Sequence, residues 1–140
     1  ANPDLRPALV RLPTEAEWVA AAGGAEPNER YPWEMPGKVT PDLKDILSRA
    51  NVYESKINRT TPVGMYPLGV SQPFQLWDMA GNVWEWQANY HDKDHDVLAL
   101  RGGSWSLDHD YARLSGRLSV HPGLVWSNGG FRVVACPSLV

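Results

Sequence analysis

Four sets of residues in this 140-residue chain have side chains able to do chemistry. Asp78 and Glu85 lie within Gln75–Trp86, QLWDMAGNVWEW, alongside Trp77, Trp84 and Trp86. Carboxylates set so close to large aromatics need a partner if they are buried. A hard cation held by carboxylate and carbonyl oxygens is one solution. The other places both carboxylates at the rim, bonded to backbone N–H groups or to arginine. The second set is His91-Asp92-Lys93-Asp94-His95-Asp96, whose types suit a transition metal but whose polarity between two strands reads first as a solvated loop. The third is His109 between Asp108 and Asp110, either a base or a surface-loop histidine. The fourth is Cys136, the single cysteine. It excludes an intrachain disulfide and a multi-cysteine zinc site, and its place after Phe131, Val133 and Val134 predicts a buried, inert thiol. No Ser-His-Asp order or paired general base stands out.

These residues must be positioned by short elements. Thr14 followed by Glu17 reads as a capping box opening a helix through Trp18, Val19, Ala21 and Ala22, which Gly23-Gly24 ends. Thr40-Pro41-Asp42 opens a second short helix, with Pro at the first helical position and Leu43, Ile46, Leu47 and Ala50 on one face. Ala80-Gly81-Asn82 is a turn, since Gly supplies positive φ and Asn tolerates it. Around it Trp77, Met79, Val83, Trp84 and Trp86 should bury a large apolar surface. Leu98–Leu100 is a strand that enters a tight turn at Gly102-Gly103. The first ten residues are a lead-in strand or tail.

Composition bounds the rest. A chain of 140 residues can bury a real core as one domain, residues 1–140. Seven Trp, 12 Gly and 12 Pro point to aromatic packing and many turns rather than long helices. A formal net charge of −3 argues against nucleic acid as a partner, because phosphate binding needs a basic face. No apolar run approaches a membrane span, and nothing at Ala1 reads as a signal peptide; neither observation fixes a compartment.

Four motifs, in order, resemble one family. LWDMAGNVWEW is similar to the central motif of the formylglycine-generating enzymes, also called sulfatase-modifying factors; RLPTEAEW (Arg11–Trp18), LRGGSW (Leu100–Trp105) and GFR (Gly130–Arg132) match the others. The resemblance implies an α+β, C-type-lectin-like fold, loop-rich with short strands and two short helices. It covers about Arg11 to Val134 and looks like the C-terminal part of the family domain, which implies an absent N-terminal part or a second chain as partner. It also implies calcium, held by Asp78 and Glu85 through side chains and by Gly81 and Val83 through carbonyls. Asn51-Val52-Tyr53 matches part of a further calcium site of the family, but Glu54–Thr60 lacks the acidic segment that completes it. After Tyr31-Pro32-Trp33 the family usually has Gly; this chain has Glu34.

The cysteine-dependent members bind copper through two cysteines, which fall near His109 and Leu114 when Arg113, Arg117 and Gly130-Phe131-Arg132 are aligned. Neither is Cys. Thiolates select Cu(I), so no copper and no formylglycine-generating activity are expected. From Ser106 to Phe131 the chain has no Lys, Glu, Gln or Met, and Trp126 is its only Trp; composition would place about four of these five types there. Such a skew is the trace left when adenines in Asn-type codons are randomised, as diversity-generating retroelements do to variable proteins that often carry this fold. A plain Ser/Gly/His-rich loop is the alternative. In both cases Ser106–Tyr111, Leu118–Leu124 and Trp126–Gly129 should be irregular loops on a rigid scaffold, the usual placement of binding residues. Ser106, Leu107, Asp108, His109, Asp110, Tyr111, His121, Leu124, Trp126 and Asn128 are the expected contacts to an unknown protein or small-molecule ligand. Arg101, Arg113, Arg117 and Arg132 read as scaffold. The sequence thus favours a non-catalytic binding module. The alternative is an oxidoreductase of the same family, of the sulfoxide-synthase or siderophore-maturation kind, completed by parts outside this chain.

Overall fold

A computed structural model describes residues 8–24, 29–37, 41–72, 74–90 and 96–137; the His91–His95 part of the polar run lies outside them. The first helix, α1 (Glu15–Ala22), begins as its residue types require. Thr14 Oγ1 accepts from the Glu17 N–H at 3.3 Å, and Glu17 Oε2 accepts from the Thr14 N–H at 2.8 Å. Gly23, at φ 132°, ends it. The second, α2 (Leu43–Leu47), starts later than the sequence suggested. Asp42 is its cap, its carboxylate accepting from the Asp45 N–H at 2.8 Å, and Pro41 stands before the helix. A carboxylate that binds a first-turn donor defines the start more strongly than a proline that only fits there. Five residues cannot wrap far around a core, so Leu43 is exposed while Ile46 and Ala50 are buried.

Among the described residues, six strands form two sheets. β1 (Ala8–Arg11) pairs antiparallel with β6 (Val134–Pro137), Leu9 opposite Cys136. β2 (Trp84–Tyr90), β3 (Leu98–Arg101), β4 (Arg117–Val120) and β5 (Gly129–Gly130) make a four-stranded sheet in the order β4-β3-β2-β5, with β2-β5 the parallel pair. Leu118–Val120 is therefore sheet rather than loop, because Leu98, Ala99 and Leu100 of β3 pair with it residue for residue. β6 begins only at Val134, so Phe131 and Val133 are exposed and Cys136 is half-buried, its Sγ 3.6 Å from Arg11 Nη2. The thiol is therefore not buried as expected but half-buried beside a guanidinium.

The Ala80-Gly81-Asn82 turn ties the molecule together. Gly81 and Asn82 take φ 73° and 65°. The Gly81 N–H donates to Gly102 O and the Asn82 N–H to Asn51 O, both at 2.7 Å; Trp105 N–H donates to Asn82 O at 3.0 Å and Trp84 N–H to Asn128 O at 2.8 Å. The Asn82 side-chain oxygen also accepts from the Thr61 N–H at 2.9 Å. Buried loop backbone must find such partners. A Cβ at Gly81 would lie 2.4 Å from Asn51 O, so only glycine fits. Two apolar clusters flank the turn, one of Tyr31, Trp33, Ile46, Ala50, Val52, Ala80 and Ala112, the other of Trp18, Ala22, Met79 and Leu114. Trp84 is buried but Trp77 is 41% exposed. Positive φ at Asp78 (53°) reverses the chain between Trp77 and Met79, and only Met79 enters the core.

Candidate functional site: the C-terminal loops and the carboxylates of the turn

The strand β3 delivers the chain into Gly102-Gly103, both at positive φ, and a Cβ at Gly103 would press within 2.9 Å of the Ala112 backbone. This places Ser104 in the interior and Ser106 above it. Asn128 closes the group: its amide donates to Ser106 Oγ at 2.6 Å and to Ser104 Oγ at 3.2 Å. One side chain thus knots the loop after β3 to the loop before β5.

Trp126 lies tilted over Trp86, centroids 6.0 Å apart. With Pro122, Leu124, Val125 and Gly129 the two rings line an open cavity of about 260 Å³. It carries no charged wall. Tyr111 packs edge-on against Trp84 at 6.2 Å while keeping part of its ring exposed. The remaining residues expected to bind are held differently. Asp108 caps the 3-10 turn His109–Ala112 through the Asp110 N–H, Asp110 accepts from Arg113 Nε at 2.8 Å, and Leu107 O accepts from the Tyr53 N–H. His109 Nδ1 is 2.7 Å from the Tyr31 hydroxyl, whose phenol burial pushes well above its ordinary range, so it keeps its proton. His121 is exposed at a loop tip and accepts from the Gly123 N–H. Ser106 with Asn128, and Leu124 with Trp126, are therefore brought together; Asp108 is engaged in holding the backbone and Asp110 in an ion pair with Arg113.

The carboxylates of the turn are bonded to arginine and to a backbone N–H, as the second alternative has it, but Glu85 is buried rather than at the rim. Glu85 receives Arg132 through both oxygens, Nη2 to Oε1 at 2.5 Å and Nε to Oε2 at 2.6 Å, and Trp18 Nε1 donates to Oε2 at 2.5 Å. Arg132 also donates to the carbonyls of Trp77 and Asp78. Asp78 accepts from the Gly64 N–H at 2.7 Å. Asp78, Val83 and Glu85 do share a cavity of about 170 Å³, with Arg132 in its wall; Gly81 is buried under the turn. Calcium requires six or more oxygens, and here the strongest donor is already held by a guanidinium. As arranged, these residues do not fit a calcium ion bound through Glu85.

Sequence reasoning missed a cavity of about 560 Å³ lined by Glu15, Ala16, Val19, Arg101, Leu114, Ser115 and Arg117. Arg117 grips Glu15 through Nε (2.5 Å) and Nη2 (2.7 Å), and Arg101 Nε adds a third bond at 2.7 Å. Burial pushes the Glu15 carboxyl up, but the two arginines outweigh it and hold it below the usual range. Arg101 also donates to the carbonyls of Leu114 and Gly116. The arginines are scaffold, as expected. Glu15 carried no local signal, because its partners lie 86 and 102 residues away.

This architecture is α+β and C-type-lectin-like, of the formylglycine-generating-enzyme variety. The chain matches the sulfatase-modifying factor enzyme 1-like domain over residues 4–136 and belongs to that family. It is 35% identical to the inactive Cα-formylglycine-generating enzyme 2 of Bos taurus, over 87% of this chain and 42% of that protein. Among solved structures it is similar to Treponema denticola variable protein 1, with TM-score 0.71 and 30% identity over 92% of this chain and 48% of the other. PvdO from Pseudomonas aeruginosa gives TM-score 0.69 and 27% identity over 90% and 52%. The chain therefore spans about half the length of these relatives. Among the described residues no helix is long and apolar enough to cross a membrane.

Proposed function

We propose that this chain is a binding module, in which the loops after β3 and before β5 present ligand contacts on a fixed sulfatase-modifying-factor scaffold. The observation that carries this reading is the Ser104–Ser106–Asn128 group. It fixes two sequence-distant loops against each other beside the uncharged Trp86/Trp126 cavity, and pre-organised loops bind with less ordering cost. The skewed composition of 106–131 and the likeness to a variable protein support the same reading. The contacts assigned to ligand are Ser106, Tyr111, Leu124, Trp126 and Asn128, with Leu107, Asp108, His109, Asp110 and His121 around them. The ligand is a protein or small molecule. The part of the relatives' length that this chain does not span, or a second chain, is proposed to complete the surface.

Formylglycine generation is not assigned, because that chemistry needs a thiolate pair and the chain has one cysteine, on the two-stranded sheet. At the turn, we assign the role of the cation facing Glu85 to Arg132. A second reading, an oxidoreductase completed elsewhere, has one observation in its favour: Tyr31, His109 and Glu54 meet beneath the same loops, with Glu54 Oε2 buried and unbonded among the described residues. The test is peptide-library selection on the intact chain. Binders are expected to lose affinity at least about tenfold on Trp126→Ala or Asn128→Ala. Binders indifferent to both changes would overturn the assignment of the loops.

A further inference from the structure

We propose that the cavity beside the C-terminal end of α1 binds a free α-amino acid, its ammonium on Glu34 and its carboxylate on Arg30. The cavity measures about 340 Å³ and is lined by Gly23, Arg30, Glu34, Met35, Pro36 and Gln72, within the size range of small-molecule sites. It is separate from the loops assigned above.

Two charged groups of opposite sign line it without pairing. Glu34 is only 6% exposed, yet among the described residues its carboxylate accepts a single bond, from the Tyr31 N–H at 2.8 Å. An ionised carboxylate offers about four acceptor sites, and burying one without a countercharge is costly. Arg30 spends its guanidinium on two carbonyls, Nη1 on Glu34 O at 3.0 Å and Nη2 on Gly23 O at 3.3 Å. Three of its five N–H donors remain. A Cβ at Gly24 would lie 2.9 Å from Arg30 Nη2, so glycine there leaves room for the guanidinium. An arginine and a glutamate held apart in one cavity complement a zwitterion better than either single ion, since each end finds its own partner. Gln72 donates to Trp33 O at 2.9 Å, leaving its amide oxygen for an ammonium. Met35 and Pro36 supply an apolar wall for a small aliphatic side chain.

The test is isothermal titration of the intact chain with each of the common L-amino acids, followed by the methyl ester and the N-acetyl derivative of the best binder. Saturable binding at millimolar concentration or tighter is expected, weakened at least about tenfold by blocking either end. Glu34→Gln is expected to abolish binding with an unchanged melting temperature, because the glutamine oxygen can still accept from the Tyr31 N–H. The proposal is overturned if no amino acid binds saturably, if blocked derivatives bind as well as the free one, or if Glu34→Gln binds like the wild type. The blocked-derivative comparison uses the wild type and so decides the matter even if the variant fails to fold. Loop variants such as Trp126→Ala are expected to leave this binding intact.

Discussion

Replacing Arg132 with methionine isolates the ion pair on which the turn depends. The guanidinium leaves, a side chain of similar reach remains, and among the described residues the Glu85 carboxylate keeps the Trp18 indole as its donor. The pair is well shielded, with side-chain exposures of 23% for Arg132 and 7% for Glu85. Removing one partner from a buried pair costs about 3–5 kcal/mol; the residual exposure of Arg132 argues for the lower end, about 3 kcal/mol. For a chain of this size that is a fall of about 10 °C in Tm. Urea unfolding followed by tryptophan fluorescence reads it directly, since Trp18 and Trp84 are both buried. The double variant Arg132→Met/Glu85→Gln should recover about 2 kcal/mol of the loss, because the neutral amide no longer needs a countercharge. The same pair of proteins examines the cation. Wild-type Tm should be indifferent to added calcium or to chelator, whereas Arg132→Met, with the Glu85 carboxylate and the Trp77 and Asp78 carbonyls released, should gain a calcium-dependent rise. A single variant that loses under about 1 kcal/mol, or a wild type that melts earlier after chelation, would refute the reasoning.

Other perturbations probe the remaining parts of the account. Gly81→Ala should cost about 3 kcal/mol or more in urea unfolding, since its φ of 73° and the 2.4 Å approach to Asn51 O both exclude a Cβ. Trp126→Ala should change stability by less than about 1.5 kcal/mol while removing loop binding, because the ring is half-buried over Trp86. The Arg11 guanidinium, then the Thr14 N–H, hold the Glu17 carboxyl down at about 2 against its ordinary 4.5. A depressed carboxyl contributes stability that is complete above the ordinary value and lost as pH falls through the folded one. Stability should therefore drop between pH 4.5 and about 2, and Glu17→Gln should flatten that part of the pH profile.

What the sequence disclosed was local. The capping box of Thr14 and Glu17, the Gly81-Asn82 turn and the strand into Gly102-Gly103 each depend on residues within a few positions of one another, and each stands in the structure as expected. The four ordered motifs made the family legible before any coordinate. What stayed hidden was long-range. The pairing of Leu9 with Cys136 joins the chain's ends, and Glu15 meets Arg101 and Arg117 across most of its length. Trp77 looked like core because its neighbours are, but the positive φ at Asp78 turns it outward. At the candidate site, the ten residues of the loops were chosen by their place in the sequence alone. The distinction between Asn128, which joins two loops, and Asp108, which caps its own turn, required the fold.

The most direct test of the central claim is an intact-mass assay of this chain incubated with a Cys-x-Pro-x-Arg sulfatase peptide, copper and oxygen. The account predicts an unchanged peptide mass from a folded protein whose loops still bind selected peptides. A mass loss matching cysteine-to-formylglycine conversion would contradict it, and would show that the scaffold supports oxidation without the thiolate pair.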